Sequence, residues 1–236
     1  MNIQVPTPPL RVAITGGTSG LGLALVRALV GRGDKVVFVA RTASAVAAVA
    51  GETGAVGVVA DVSRKQDIHR IALQVTAALG GLDVLVNNAS DLGPIPLALL
   101  ADTDCEDFER ALQTNLLGPF RLSKALLGAL AGSAREGRGG VIVNISSDAA
   151  VTPYETWGAY GSSKSALHHL SHIWDAELAG EGVRVLSLDP GDMDTPMHAA
   201  AIPGADRASL RRPEDAAAGI IAAVMSALPA FAEAAS

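Results

Sequence analysis

The chain has 236 residues, 49% hydrophobic and 18% charged, with a formal net charge of −6. That length supports one sizeable core, and that composition excludes a disordered or fibrous chain. The acidic balance carries no basic stripe and no interleaved aromatics, so the footprint that neutralises nucleic-acid phosphates is missing.

The single cysteine, Cys105, allows no internal disulfide and suits a reducing compartment; its ordinary reading is a helix-start residue. The opening MNIQVPTPPL lacks a charged n-region followed by an apolar one, and no later run reaches the ~20 apolar residues of a membrane helix. The protein is expected to be soluble and cytoplasmic, with no membrane partner.

Six β-branched runs follow in chain order: LRVAIT, KVVFVA, AVGVVA, LDVLVN, GVIVNIS and VRVLSLD. Helix-period stretches separate them, the alternation of βαβ units, and their near-continuous apolarity implies a sheet covered on both faces. The prediction is a doubly wound, Rossmann-type parallel sheet of about six strands, with residues 1–236 forming a single α/β domain. GSAREGRGG reads as a surface loop before the fifth strand. Residues 192–212 lose the periodicity and form a candidate substrate lid, after which a helix is expected near Pro213, with Glu214 and Asp215 in its first turn.

Directly after the first run comes Thr15-Gly16-Gly17-Thr18-Ser19-Gly20-Leu21-Gly22. Glycines let backbone N–H groups approach a pyrophosphate, and the following helix N-terminus favours its charge. The spacing is GxxxGxG, and tight strand–helix packing is the alternative reading. Some 20 residues on, where an acidic side chain would accept a ribose 2′-hydroxyl, stands Arg41, whose planar cation suits a 2′-phosphate. NADP(H) is therefore expected ahead of NAD(H); Ser19, a neutral residue where a second basic contact often sits, leaves NAD(H) open.

Tyr160 and Lys164 lie four residues apart in AYGSSKSALHHL, on one face of an expected helix. A phenol with a pKa of about 10 needs a nearby cation to work near neutrality, and the lysine is expected to lower it. Ser147, at the end of VIVNISS, is placed to hydrogen-bond a substrate oxygen.

TGGTSGLG, NNAS, Asn115, NISS, YGSSK and DPGDMDT together resemble the short-chain dehydrogenase/reductase family over roughly Val12 to Met197. The resemblance implies an oxidoreductase interconverting a small-molecule carbonyl and alcohol. It assigns Tyr160 as general acid–base, Lys164 as its pKa-lowering partner and nicotinamide-ribose contact, and Ser147 as the residue that orients the substrate oxygen. Family spacing selects Ser147 over Ser146. Asn115 is implied to hold a helix kink and a relay water. Asp61 and Val62 match the adenine contact, Asn88 and Ala89 the strand end beneath the cofactor, and Pro190, Gly191, Met193 and Thr195 the nicotinamide side. Two departures stand out. Ser90 replaces the family glycine, and ALPAFAEAAS lacks the glycine-rich last strand, which favours six strands and a homodimer on the helices around 104–130 and 159–179.

Other signals carry less. His168, His169 and His172 include an i,i+4 pair but no third ligand, and the acidic run from Asp102 to Glu109 is explained by a helix start, so no metal is expected. No GxSxG elbow supports a hydrolase. A nucleotide-binding sensor without turnover remains the rival to an enzyme. The substrate is expected between Ser147, residues 149–157 and 192–212, and Ser90 with Leu92. Trp157, Met193, Met197 and Ile202 are apolar candidates there, and Tyr154, Glu155 and His198 polar ones. Reduction is the favoured direction.

Overall fold

The computed structural model describes residues 8–229. Six strands form one all-parallel sheet in the order β3-β2-β1-β4-β5-β6. They are β1 (Arg11–Thr15), β2 (Lys35–Ala40), β3 (Val56–Val59), β4 (Val84–Asn87), β5 (Gly140–Ile145) and β6 (Val183–Leu188). All six predicted runs are strands, and the jump from β3 across to β4 places a topological switch beside β1, where ligands bind in such sheets.

Side-chain alternation explains why the strands are mostly apolar. Val12, Ile14, Val36, Phe38, Val84, Val86, Val141 and Val143 point to one face, and Ala13, Val37, Val39, Leu85 and Ile142 to the other. The first face is covered by α1 (Gly20–Gly31), α2 (Ala43–Thr53) and α8 (Pro213–Ala227); the second by α3 (Lys65–Leu79), α5 (Gly118–Arg135) and the end of α6 (Gly158–Leu178). The remaining helices are α4 (Cys105–Leu112) and the short α7 (Pro196–Ala201). As predicted, Cys105 opens a helix and α8 starts at Pro213.

Several local expectations change. Helix α5 runs on through Arg135, so the first four residues of GSAREGRGG are helical rather than loop. The segment 192–212 is also ordered: it holds α7 and is tied at its base by the Asp194 amide to the Arg211 carbonyl (3.0 Å) and by an Arg207–Asp194 ion pair (2.9 Å). The six-strand count describes residues 8–229. The opening MNIQVPT and the end of ALPAFAEAAS, on which the absence of a leader and of a last strand was judged, lie outside the described residues.

Two buried polar systems fix the layers. At the carboxyl side of the sheet Asn87 and Asn144 are register partners on β4 and β5. Asn87 Nδ2 donates to Asn144 Oδ1 (2.8 Å) and Ser123 Oγ (3.1 Å), and Asn144 Nδ2 donates to Ser171 Oγ (2.9 Å). This chain of direct bonds links α5, β4, β5 and α6. At the amino side Asp83, fully buried, accepts from Arg11 (2.8 Å) and Arg138 (2.8 Å), and Ser133 donates to it as well. Burial pushes the Asp83 carboxyl up, but these donors outweigh it and hold it at about 2.

A carboxylate whose folded pKa lies below the unfolded value of about 3.9 contributes stability that is complete above that value and lost as pH falls towards 2. Asp83→Asn is expected to cost about 3 kcal/mol at pH 7 and to flatten stability between pH 4 and 2. Urea melts of both proteins across that range test it; parallel pH profiles would remove Asp83 as the source.

Candidate active site

A cleft of about 790 Å³ runs along the carboxyl ends of the strands, from Arg41 and Asp61 at one end to Ser147, Tyr160 and Met197 at the other. It collects Gly16, Thr18, Ser19, Gly20, Leu21, Arg41, Asp61, Val62, Asn88, Ala89, Ser147, Tyr160, Lys164, Pro190, Gly191, Met193 and Thr195. Of the predicted residues, Gly22, Asn115 and Glu155 do not line it; Gly22 and Asn115 lie behind its walls.

Gly22 is a packing glycine. A Cβ there would sit 2.1 Å from the Gly16 carbonyl oxygen and 2.5 Å from Asn88 Nδ2, so no side chain fits. Gly16 itself has φ +70. Asn88 braces the turn from β4, donating through Nδ2 to the carbonyls of Thr15 (2.9 Å) and Gly16 (3.2 Å). Ser19 is the N-cap of α1 but makes no side-chain cap bond, leaving the first-turn N–H groups to a ligand. A glycine-rich turn, a helix start with uncapped donors and a long cleft beyond them fit a dinucleotide pyrophosphate.

At the far end of that groove Arg41 is exposed and makes no ion pair or hydrogen bond among the described residues. Asp61 is less free: its Oδ1 accepts from the Ser63 amide (2.9 Å) and hydroxyl (2.7 Å).

At the opposite end, α6 carries Tyr160 and Lys164 inward, 8% and 2% exposed. Lys164 Nζ donates to the Ile145 carbonyl at 2.7 Å and lies 5.5 Å from the Tyr160 ring centroid. Trp157 meets the Tyr160 ring edge-on at 5.6 Å. Burial pushes the Lys164 ammonium down to about 8, opposed by Asp189. Burial also pushes the Tyr160 phenol up to about 12; Asp189 and Asp148 add to the rise, while the Ser147 and Ser90 hydroxyls oppose it. Burial is the largest influence on both groups.

Ser147 Oγ donates to Asp148 Oδ1 (3.0 Å) and accepts from the Ala149 amide (3.2 Å), while Tyr154 donates to Asp148 Oδ2 (2.7 Å). The neighbouring Ser146 is buried. Around this point the wall is apolar, with Leu92, Trp157, Met197, Ala201 and Ile202. His198 is the polar exception: its Nδ1 is buried with no hydrogen-bond partner among the described residues, and its Nε2 lies 4.0 Å from Asp192.

Asn115 sits in a π-turn, Gln113–Leu117, between α4 and α5, which interrupts the helix expected over 104–130. Its Oδ1 accepts from the Asp91 amide (2.7 Å) and Ser90 Oγ (3.2 Å), and its Nδ2 donates to the Asp91 carbonyl (2.7 Å) and Ser163 Oγ (2.8 Å).

Sequence reasoning missed Asn87, Asn144, Ser163, Asp148 and Asp189. The matched endings VLVN and VIVN carried a signal, because two polar residues closing apolar strands at the same height need each other. On α6, His168 is half-buried, its Nδ1 2.9 Å from Ser187 Oγ and its Nε2 3.2 Å from His172 Nε2.

A family model described as short chain dehydrogenase matches residues 11–205. Serine 3-dehydrogenase of Agrobacterium fabrum is 33% identical over 187 residues, covering 78% of this chain and 72% of that protein. Among solved structures, 3-ketoacyl-(acyl-carrier-protein) reductase of Brucella melitensis, complexed with NADH, superposes with a TM-score of 0.83 at 28% identity, over 89% of this chain and 88% of that one. A short chain dehydrogenase structure from Pseudomonas syringae gives 0.84 at 29% identity, over 95% and 91%. Strand order, glycine turn and sequence kinship agree: this chain belongs to the short-chain dehydrogenase/reductase family, as an NAD(P)-dependent dehydrogenase/reductase.

Proposed function

We propose that the protein is an NADP(H)-dependent carbonyl reductase in which Tyr160 is the general acid. The observation that carries this reading is the buried phenol beside Ser147 and Lys164 at the closed end of a dinucleotide-sized cleft. NADPH, when bound, supplies the hydride. The side chains do the rest.

A phenol pushed up to about 12 is fully protonated at neutral pH, which is the form a reduction needs. Tyr160 Oη gives its proton to the substrate oxygen as the carbonyl carbon becomes an alcohol carbon. The Ser147 hydroxyl turns from Asp148 towards the same oxygen and holds it within reach of the phenol. Lys164, charged below about pH 8, stabilises the phenolate left behind and replenishes its proton. Asn115 fixes the height of α6 through Ser163, and so the position of Tyr160. The apolar wall around Trp157 and Met197 takes the body of the substrate and excludes water, with segment 192–212 as the lid.

At the other end Arg41 pairs with a 2′-phosphate; its freedom from ion pairs among the described residues supports this assignment over a structural role. Gly16, Thr18, Ser19, Gly20 and Leu21 hold the pyrophosphate, Asp61 and Val62 the adenine, and Pro190, Gly191, Met193 and Thr195 the nicotinamide side. We place the partner of a homodimer on α4, α5 and α6.

Four outcomes follow. In a carbonyl-panel screen followed by NADPH oxidation, Tyr160→Phe is expected to lose at least 100-fold in kcat, on the order of general-acid contributions, with NADPH affinity kept. The wild-type rate should hold below about pH 8 and decline above it as Lys164 deprotonates; an active Phe variant, or a rate rising through pH 8, overturns the assignment. Arg41→Ala should weaken NADPH at least 10-fold and leave NADH within about 2-fold, since one charged hydrogen-bonded contact is worth about 1.5 kcal/mol or more; tighter wild-type binding of NADH sinks the NADP(H) preference. Light scattering should give twice the monomer mass, and a monomer removes the homodimer.

A further inference from the structure

Helix α6 carries a second cluster of titratable side chains, none of which lines the cleft. Four-residue spacing stacks His168 and His172 on one stripe, and Asp175 continues it. The stripe follows β6. His168 Nδ1 lies 2.9 Å from Ser187 Oγ, and Asp175 Oδ1 accepts from Arg184 Nε (2.9 Å) and the Val185 amide (2.8 Å). Trp174 instead stacks on Phe120 of α5, on the flank where we place the homodimer partner. His172 is exposed and His168 half-buried, so the pair reaches solvent.

The two rings meet at 3.2 Å between their Nε2 atoms, with centroids 4.6 Å apart and planes at 85°. Two nitrogens each about 2.05 Å from a tetrahedral cation lie about 3.3 Å apart, so the pair already has the spacing of a chelate. Neutral rings at this distance share one proton along the line between the Nε2 atoms. That proton can move to an Nδ1: in His168 the Ser187 oxygen accepts it, and in the exposed His172 water does. Both Nε2 lone pairs are then available to one cation, with no net proton released. The Ser187 contact is also the kind of outer hydrogen bond that orients a metal-binding imidazole.

We propose that His168 and His172 form a two-ligand chelate for a divalent transition-metal cation of the Zn2+, Ni2+ and Cu2+ class. Imidazole suits these ions, whereas Mg2+ and Ca2+ take oxygen ligands. Asp175 is committed to Arg184 and Val185, and no third histidine, cysteine or carboxylate forms a group with the pair among the described residues. Two tetrahedral positions therefore fall to water. A third protein ligand is not required, because two nitrogens preset by one helical turn and braced from β6 lose little freedom on binding. The cation favours the folded turn over the unfolded chain, and so stabilises the helix that carries Tyr160 and Lys164. The inference rests on neither the cofactor nor the acid assignment.

Calorimetric titration of zinc chloride into metal-free, tag-free protein tests the site, with far-ultraviolet dichroism confirming the fold of each variant. One ion per chain is expected. His172→Ala, at an exposed position, should weaken Zn2+ at least 10-fold, and Ser187→Ala about 10-fold, as losing the bond that orients a metal-binding imidazole implies. His169→Ala should stay within about 2-fold, because that position lies about 100° round the helix from His168. Zn2+ should also raise the thermal midpoint of the wild type and leave that of His172→Ala unmoved. A wild type that takes up no Zn2+, undiminished affinity in His172→Ala or Ser187→Ala, or loss of binding in His169→Ala overturns the chelate.

Discussion

The active end of this molecule depends on one carboxamide. Asn115 has two donors and two acceptor positions, and all four are occupied: by the Asp91 amide and carbonyl, by Ser90 and by Ser163. Those partners come from the loop after β4 and from α6, while Asn115 itself belongs to the π-turn between α4 and α5. Three segments far apart in the chain thus share one buried hub, and each unpaired position in it would cost about 1–3 kcal/mol. The π-turn is the local distortion that aims the side chain at the hub, rather than along the helix surface. Ser163, one residue before Lys164, passes the constraint on by donating to the Tyr160 carbonyl at 2.7 Å. The Asn87–Asn144–Ser171 chain repeats the logic two turns further along α6. The helix is held at two heights by buried, hydrogen-bonded polar groups, which fixes its rotation as well as its position.

Burial then sets the electrostatics. Taking an ammonium and a phenol out of water moves their pKa values apart, down to about 8 and up to about 12. Both shifts share one cause, so the pair sits in its protonated forms at neutral pH, loaded for donation. The two serine hydroxyls and the two carboxylates around the phenol adjust that balance from opposite sides.

The strands were legible because a doubly covered parallel sheet makes most strand positions apolar, and the glycine turn because Gly22 and Gly16 leave no room for a side chain. Tyr160, Lys164 and Ser147 were legible as a pattern on one helix and one strand end. What escaped was set by distance along the chain. Arg138 reads as part of a polar surface loop, yet its guanidinium reaches Asp83 across 55 residues. Asn115 meets Ser163 across 48, and no local periodicity encodes such a meeting. The phenol's burial escaped for a related reason: the i,i+4 spacing specifies nearness but not dehydration.

Asp83 and its arginines lie at the amino ends of β1, β4 and β5, while the cleft lies at the carboxyl ends of the same strands. At about 3.3 Å per residue, the sheet keeps the two apart by some 15 Å. Substitutions around the mouth near Trp157, Met197 and His198 therefore draw on none of the charge network that secures the base. A lineage built on this frame is free to explore new substrates at one rim while the other continues to fold the chain.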